Sequence, residues 1–267
     1  MKVQMMKVIA AVVLVVVSGA GAEAGQAAMS GDLARVLTTG DVGDRHRAVR
    51  SMLLIPADQR DEAMWVAAAA ELQRVAAESH ARIDAINAGR SVRSLGEDHA
   101  EYDRALVEAV GQWQDPRALP PLISAGGGML ATQPILRFGE TAVPLLVEAA
   151  RTGHSSQRGG VLLALTILLE GYTVQPYNIS PAPLSPAARR QIQQLAHDLL
   201  QPSAVRLSDL PIAAGLALAT GDETLREQIE VLAREPGAVA QLTGLGDGIA
   251  IARVQSSIQT KLDRFNR

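Results

Sequence analysis

Apolar positions along this chain recur at steps of three and four residues almost everywhere after Gly31, the spacing of amphipathic helices. The longest such segment runs from Asp61 to about Asn87. Met64, Ala68, Leu72, Val75, Ile83 and Ile86 line one face, and Glu71, Arg74, Glu78, Arg82 and Asp84 fall between them as a solvated face. Ser79 and His80 mark a weak point in it. Gly89–Gly96 then reads as a polar connection. His99–Gln114 carries the stripe Ala105, Leu106, Ala109, Val110 and Trp113, with Trp113 expected in the core. Asp115-Pro116 stops that helix and opens the next, since Asp caps well and Pro suits the first helical position. Short helices follow over 118–125 and 129–138, and another opens at Gly139-Glu140-Thr141 and closes at Gly153.

Ser155 or Ser156 is expected to cap the most apolar stretch, Val161–Leu169, whose Leu/Ala content and length predict a buried helix and not a strand. Gly171 ends it. Tyr172–Leu184 is the clear insertion, with Pro176, Pro181 and Pro183. Ser185-Pro186 caps a helix with Ile192, Leu195, Ala196, Leu199 and Leu200 on one side. Leu207–Thr220 is nearly all apolar. Asp222 caps its successor, Glu235-Pro236-Gly237 breaks that, a short helix covers 238–245, and a terminal amphipathic helix carries Ile251, Val254, Ile258, Leu262 and Phe265. No alternating run long enough for a strand stands out.

The first residues follow another logic. Lys2 and Lys7 precede the apolar run Val8–Val17. Ala20-Gly-Ala22 and Ala22-Glu-Ala24 both fit small-x-small cleavage. Residues 1–24 therefore read as a secretory signal peptide. Ten apolar residues fall short of the roughly 20 that span a bilayer, which favours cleavage over a retained anchor. Cleavage removes Lys2, Lys7 and Glu23 and moves the formal charge from −3 to −4. Residues 25–40 are expected to be flexible or weakly ordered, and 41–267 to form the folded domain.

Composition narrows the class. The chain is 48% hydrophobic and only 3% aromatic, which suits helices better than sheets. The absence of cysteine excludes disulfides, thiolate metal sites and a thiol nucleophile. The acidic balance gives no footprint for nucleic acid. An exported chain without cysteine points to a bacterial periplasm or exterior, where folding rests on the core alone.

Three openings share a layout: Asp115-Pro-Arg-Ala-Leu-Pro-Pro-Leu-Ile, Gly139-Glu-Thr-Ala-Val-Pro-Leu-Leu-Val and Asp222-Glu-Thr-Leu-Arg-Glu-Gln-Ile. Each follows a helix rich in small or apolar residues. The layout resembles the HEAT-repeat (armadillo-like) family, in which such an opening begins the second helix of each antiparallel pair. The resemblance covers about residues 41–234, most clearly 99–152 and 203–234. It implies an all-α, irregular α-solenoid of about five or six antiparallel helix pairs, each burying its apolar face on the next. Asp115 and Gly139 lie only 24 residues apart, against a usual repeat of about 40.

Chemistry is sparse. His46, His80, His99, His154 and His197 show no helical zinc spacing. Gly153-His-Ser-Ser-Gln157 departs from a nucleophile elbow at Gln157 and follows no strand, so it reads as a helix cap. Glu97, Asp98, Glu101, Asp103 and Glu108, with Arg104 among them, read as a solvated helix face. No catalytic residue, metal ligand or cofactor is expected. The candidate partner-binding residues are Tyr172, Tyr177 and Asn178 in the insertion, because loops on a rigid scaffold often carry binding, with Arg151 and Arg158 nearby. The expected function is a non-enzymatic periplasmic or secreted scaffold for a protein or peptide partner, with no stable membrane span after cleavage. A HEAT-like enzyme subunit of lyase type is the alternative from another class, carried by fold analogy. A self-assembling envelope protein is the third, favoured if residues 247–265 expose an apolar face.

Overall fold

The computed structural model describes residues 31–92, 97–126, 129–171, 181–202, 204, 206–244 and 248–266. The described residues are helical with no strand, and they divide into two compact units, one ending at Glu71 and one starting at Leu72. The expected signal peptide lies outside the described residues.

In the first unit, residues 31–39 are helical and Leu37 is fully buried. Helix α1 (Val42–Leu54) starts where the Asp41 carboxylate accepts the Asp44 N–H at 2.8 Å, satisfying a donor that the first turn leaves free. Its inner face carries Ala48, Val49 and Met52. Helix α2 (Glu62–Asn87) opens in the same way, with Asp61 accepting from Met64 N–H at 2.9 Å, and Met64, Trp65 and Ala68 are buried. Glu71, expected on a solvated face, is instead 4% exposed and paired at 3.3 Å with Arg45 of α1. The residues of α2 beyond Glu71 belong to the second unit, and the helix runs unbroken through Ser79 and His80, where the sequence suggested a weak point.

The second unit adds α3 (Glu97–Gly111), α4 (Leu119–Ser124), α5 (Met129–Leu136), α6 (Val143–Thr152), α7 (Ser155–Glu170), α8 (Pro186–Leu199), α9 (Leu210–Ala219), α10 (Glu223–Arg234), α11 (Pro236–Thr243) and α12 (Gly248–Phe265). Single 3-10 turns, Pro116–Ala118 and Gly139–Ala142, lead into α4 and α6. Both precede a helix with Pro in its first turn, where the missing N–H costs nothing. Asp115, Ser185 and Asp222 each accept a backbone N–H, as expected of caps.

From α3 to α9, alternate helices are neighbours. Helix α3 packs on α5, α5 on α7, α7 on α9 and α9 on α12, while α4 packs on α6 and α6 on α8. Consecutive pairs such as α3–α4, α6–α7, α8–α9 and α9–α10 join the two sets. Helix α7 sits between α5, α6 and α9, which explains why its composition is apolar all round: Val161, Leu162, Ala164, Leu165, Ile167 and Leu168 are all buried. It ends at Gly171, whose φ of 67° is a left-handed cap that glycine adopts without a Cβ penalty. The buried face of α12 (Ile251, Val254, Ile258 and Leu262) packs with α9, α10 and α11, so the apolar stripe of the terminal helix is not a free surface.

Polar side chains tie one helix of the second set to the next. Arg151 of α6 donates to Asp198 of α8 at 2.7 Å, and Ser185 donates through N and Oγ to Glu140 at 2.8 and 2.6 Å. Gln193 of α8 donates to Asp222 at 2.6 Å, and Gln228 of α10 donates to the Leu200 carbonyl at 2.9 Å.

Candidate functional site

The second unit holds a cavity of about 300 Å³ lined by parts of five helices. Its apolar side is Leu72, Val75, Ala76 and Ile83 of α2, Val107 of α3 and Ala131 of α5. Its polar side is Ser79 and His80 of α2, Asp103 and Arg104 of α3, Ser124 of α4 and Ser156 of α7. A second cavity of about 230 Å³ shares Arg104 and Val107 and continues past Glu108, Gln112, Gln133 and Arg137. Helix periodicity makes the mixture: Asp103 stands three and four residues before Leu106 and Val107, on the border of the buried stripe of α3. Glu101 and Glu108 are exposed, as the sequence predicts for a solvated face. Asp103 is not on that face. Burial raises its pKa above the usual carboxylate value, reinforced by Glu78 and opposed by His99 and Arg82.

A hydrogen-bonded string borders the cavity. The N-cap of α7 is His154 and not one of the two serines after it: its Nδ1 accepts the Ser156 N–H at 3.2 Å. Because an amide N–H can only donate, that nitrogen carries no proton, and the proton of the neutral ring is on Nε2. Nε2 then donates to Asp84 Oδ1 at 2.9 Å. Ser156 Oγ lies 2.7 Å from the same Nδ1. The composition of this string, serine, histidine and carboxylate, is that of a proton relay, but its geometry serves the helix end. The single Nδ1 lone pair is already shared with a backbone N–H, which weakens it as a base toward the hydroxyl. The imidazole also explains why a histidine replaces Ser at the cap: it satisfies one N–H of α7 and reaches back to α2. His80 stacks on it, with ring centroids 4.3 Å apart and planes at 12°. Burial, then the neighbouring His154, lower the His80 pKa, against the opposing effects of the Ser124 backbone and Asp84.

The candidate partner-binding residues fare differently. Tyr172, Tyr177 and Asn178 lie outside the described residues. Arg151 is paired with Asp198, and Arg158 is turned inward, 16% exposed, with Nη1 4.0 Å from Asp209 Oδ2. Trp113 is buried, as expected, with the Arg117 guanidinium 5.0 Å from its ring centroid. His197, read as bordering a core stripe, contacts the Asp222 carboxylate at 3.1 Å. The cavity was missed in sequence because its walls come from residues up to 84 positions apart, Leu72 to Ser156. The one local signal was Asp103 beside an apolar stripe. Among the described residues no group of three or more His, Asp or Glu side chains is arranged to hold a metal ion.

The fold and cavity define an all-helical protein of alternately packed helices. No family model, curated protein or solved structure matches the chain.

Proposed function

We propose that this chain is an exported, non-enzymatic scaffold of the HEAT-repeat type, an irregular α-solenoid that binds a protein or peptide partner through a surface of its helical stack. The observation that carries the reading is the neighbour order: from α3 to α9, alternate helices pack on one another, and consecutive helices such as α3–α4, α6–α7 and α8–α9 pair, as stacking of helix pairs requires. The repeated openings at Asp115, Gly139 and Asp222 fall at the starts of α4, α6 and α10, equivalent places in that order. Local links, Arg151–Asp198 and Gln193–Asp222, join α6 to α8 and α8 to the start of α10, as nearest-neighbour stacking requires. The first residues, with their Lys, apolar run and small-x-small sites, support export to a bacterial periplasm or beyond. Among the described residues no helix is long and apolar enough to cross a membrane.

The test has two arms. Small-angle scattering of the chain starting at Gly25 should give an elongated particle, and a near-spherical one refutes the solenoid. Cross-linking and capture from the envelope fraction should recover a partner whose affinity falls when residues 173–180 are replaced by a Gly/Ser linker. Unchanged affinity moves the binding surface away from the insertion, and a cytoplasmic location with Met1 retained refutes export.

A further inference from the structure

Two charged side chains of the 300 Å³ cavity, Asp103 and Arg104, make no hydrogen bond or ion pair with any described residue. They differ in setting. Asp103 is half-buried, whereas Arg104 is exposed and also lines the second cavity. Consecutive helical positions diverge by about 100°, so the two charges occupy adjacent walls of one space and do not neutralise each other. A volume near 300 Å³ is at the small end of metabolite sites. The remaining lining is mostly apolar, with Leu72, Val75, Ala76 and Ile83 on one stripe of α2, and it includes the hydroxyls of Ser79 and Ser156.

We propose that this cavity binds a free apolar α-amino acid, with the ligand ammonium on Asp103, its carboxylate on Arg104, and its side chain against Leu72, Val75, Ile83 and Val107. An unpaired, partly desolvated carboxylate is costly, and a bound ammonium removes that cost. An exposed guanidinium suits a carboxylate, which it can hold through two parallel N–H donors. An amine or an acid alone leaves one of the two charges unanswered, and a polar side chain leaves the apolar wall wet. The site stands whether or not the helices form a repeat scaffold.

Isothermal titration of the chain starting at Gly25 with L-leucine, L-leucinamide, N-acetyl-L-leucine and the tripeptide Leu-Gly-Gly tests the assignment. Leucine should bind saturably. The amide and the N-acetyl compound should each bind about tenfold more weakly or worse, having lost one charge-assisted contact. Asp103→Asn and Arg104→Gln should each cost a similar factor, and thermal melts will show that both variants remain folded, since neither side chain holds another in place. Three results overturn the proposal: no saturable binding of leucine up to about 10 mM; equal binding of leucine, amide and N-acetyl compound; or Leu-Gly-Gly binding as tightly as leucine, which makes the site a reader of a peptide N-terminus.

Discussion

Two adjacent glycines of α7 offer a sharp test of how the stack is packed. A Cβ built on Gly160 falls well inside contact distance of the Gly126 carbonyl oxygen and 3.0 Å from its carbon, both backbone atoms just beyond the end of α4. A Cβ on Gly159 meets only Ile212 Cδ1, at 3.3 Å, the far end of a half-exposed side chain. Replacing either glycine by alanine gains about 1 kcal/mol of helix propensity. At Gly160 the helix must also move off Gly126, and overpacking of this kind costs roughly 3 kcal/mol or more. The net loss for Gly160→Ala is then about 2 kcal/mol, which in a chain of this size lowers Tm by roughly 4–8 °C. Gly159→Ala should stay within about 3 °C of the parent, because Ile212 can turn aside. Thermal melts followed by circular dichroism, with urea unfolding as a check, measure both. If the two variants melt together, α7 does not lie on the Gly126 backbone and the packing described for it is wrong.

Leu165, fully buried in α7, should tolerate no charge: Leu165→Asp is expected to cost about 4 kcal/mol or to abolish folding, and a Tm within a few degrees of the parent refutes its central place. Asp222 has its pKa lowered from 3.8 to about 2 by hydrogen bonds from Gln193, the Leu225 N–H and His197. A depressed folded-state pKa stabilises above the unfolded value, so this contribution is complete above about pH 4 and is lost as pH falls toward 2. Asp222→Ala should therefore lower Tm at neutral pH and flatten its decline over that acid window, and an unchanged acid limb refutes the assignment. In the first unit, Arg45→Ala should cost about 3 kcal/mol by removing the guanidinium that stands 3.3 Å from the buried Glu71 carboxylate. Arg45→Ala/Glu71→Leu should recover part of that in urea unfolding, and strict additivity of the single changes argues against the pair.

Helix positions were legible because they depend on local chemistry. Asp115, Ser185 and Asp222 cap helices in the sequence and in the structure, since a short polar side chain reaches its own first-turn N–H without help from the rest of the chain. Gly171 ended α7 as read, for the same local reason. The all-round apolar run 161–169 announced a helix covered on several sides, though not which helices would cover it. What escaped local reading was each case where a distant segment set the environment. Glu71 has the periodicity of a solvated position and becomes buried because Arg45 meets it. Ser155 and Ser156 are good caps by type, yet His154 takes the place because Asp84 of α2 holds its other nitrogen. Asp103 belongs to a charged run by composition, and only the meeting of α2, α3, α4, α5 and α7 places it in a cavity. Sequence determined the elements because hydrogen bonds and caps close within a turn or two. Tertiary structure decided the site because its walls are assembled from side chains that share no local pattern.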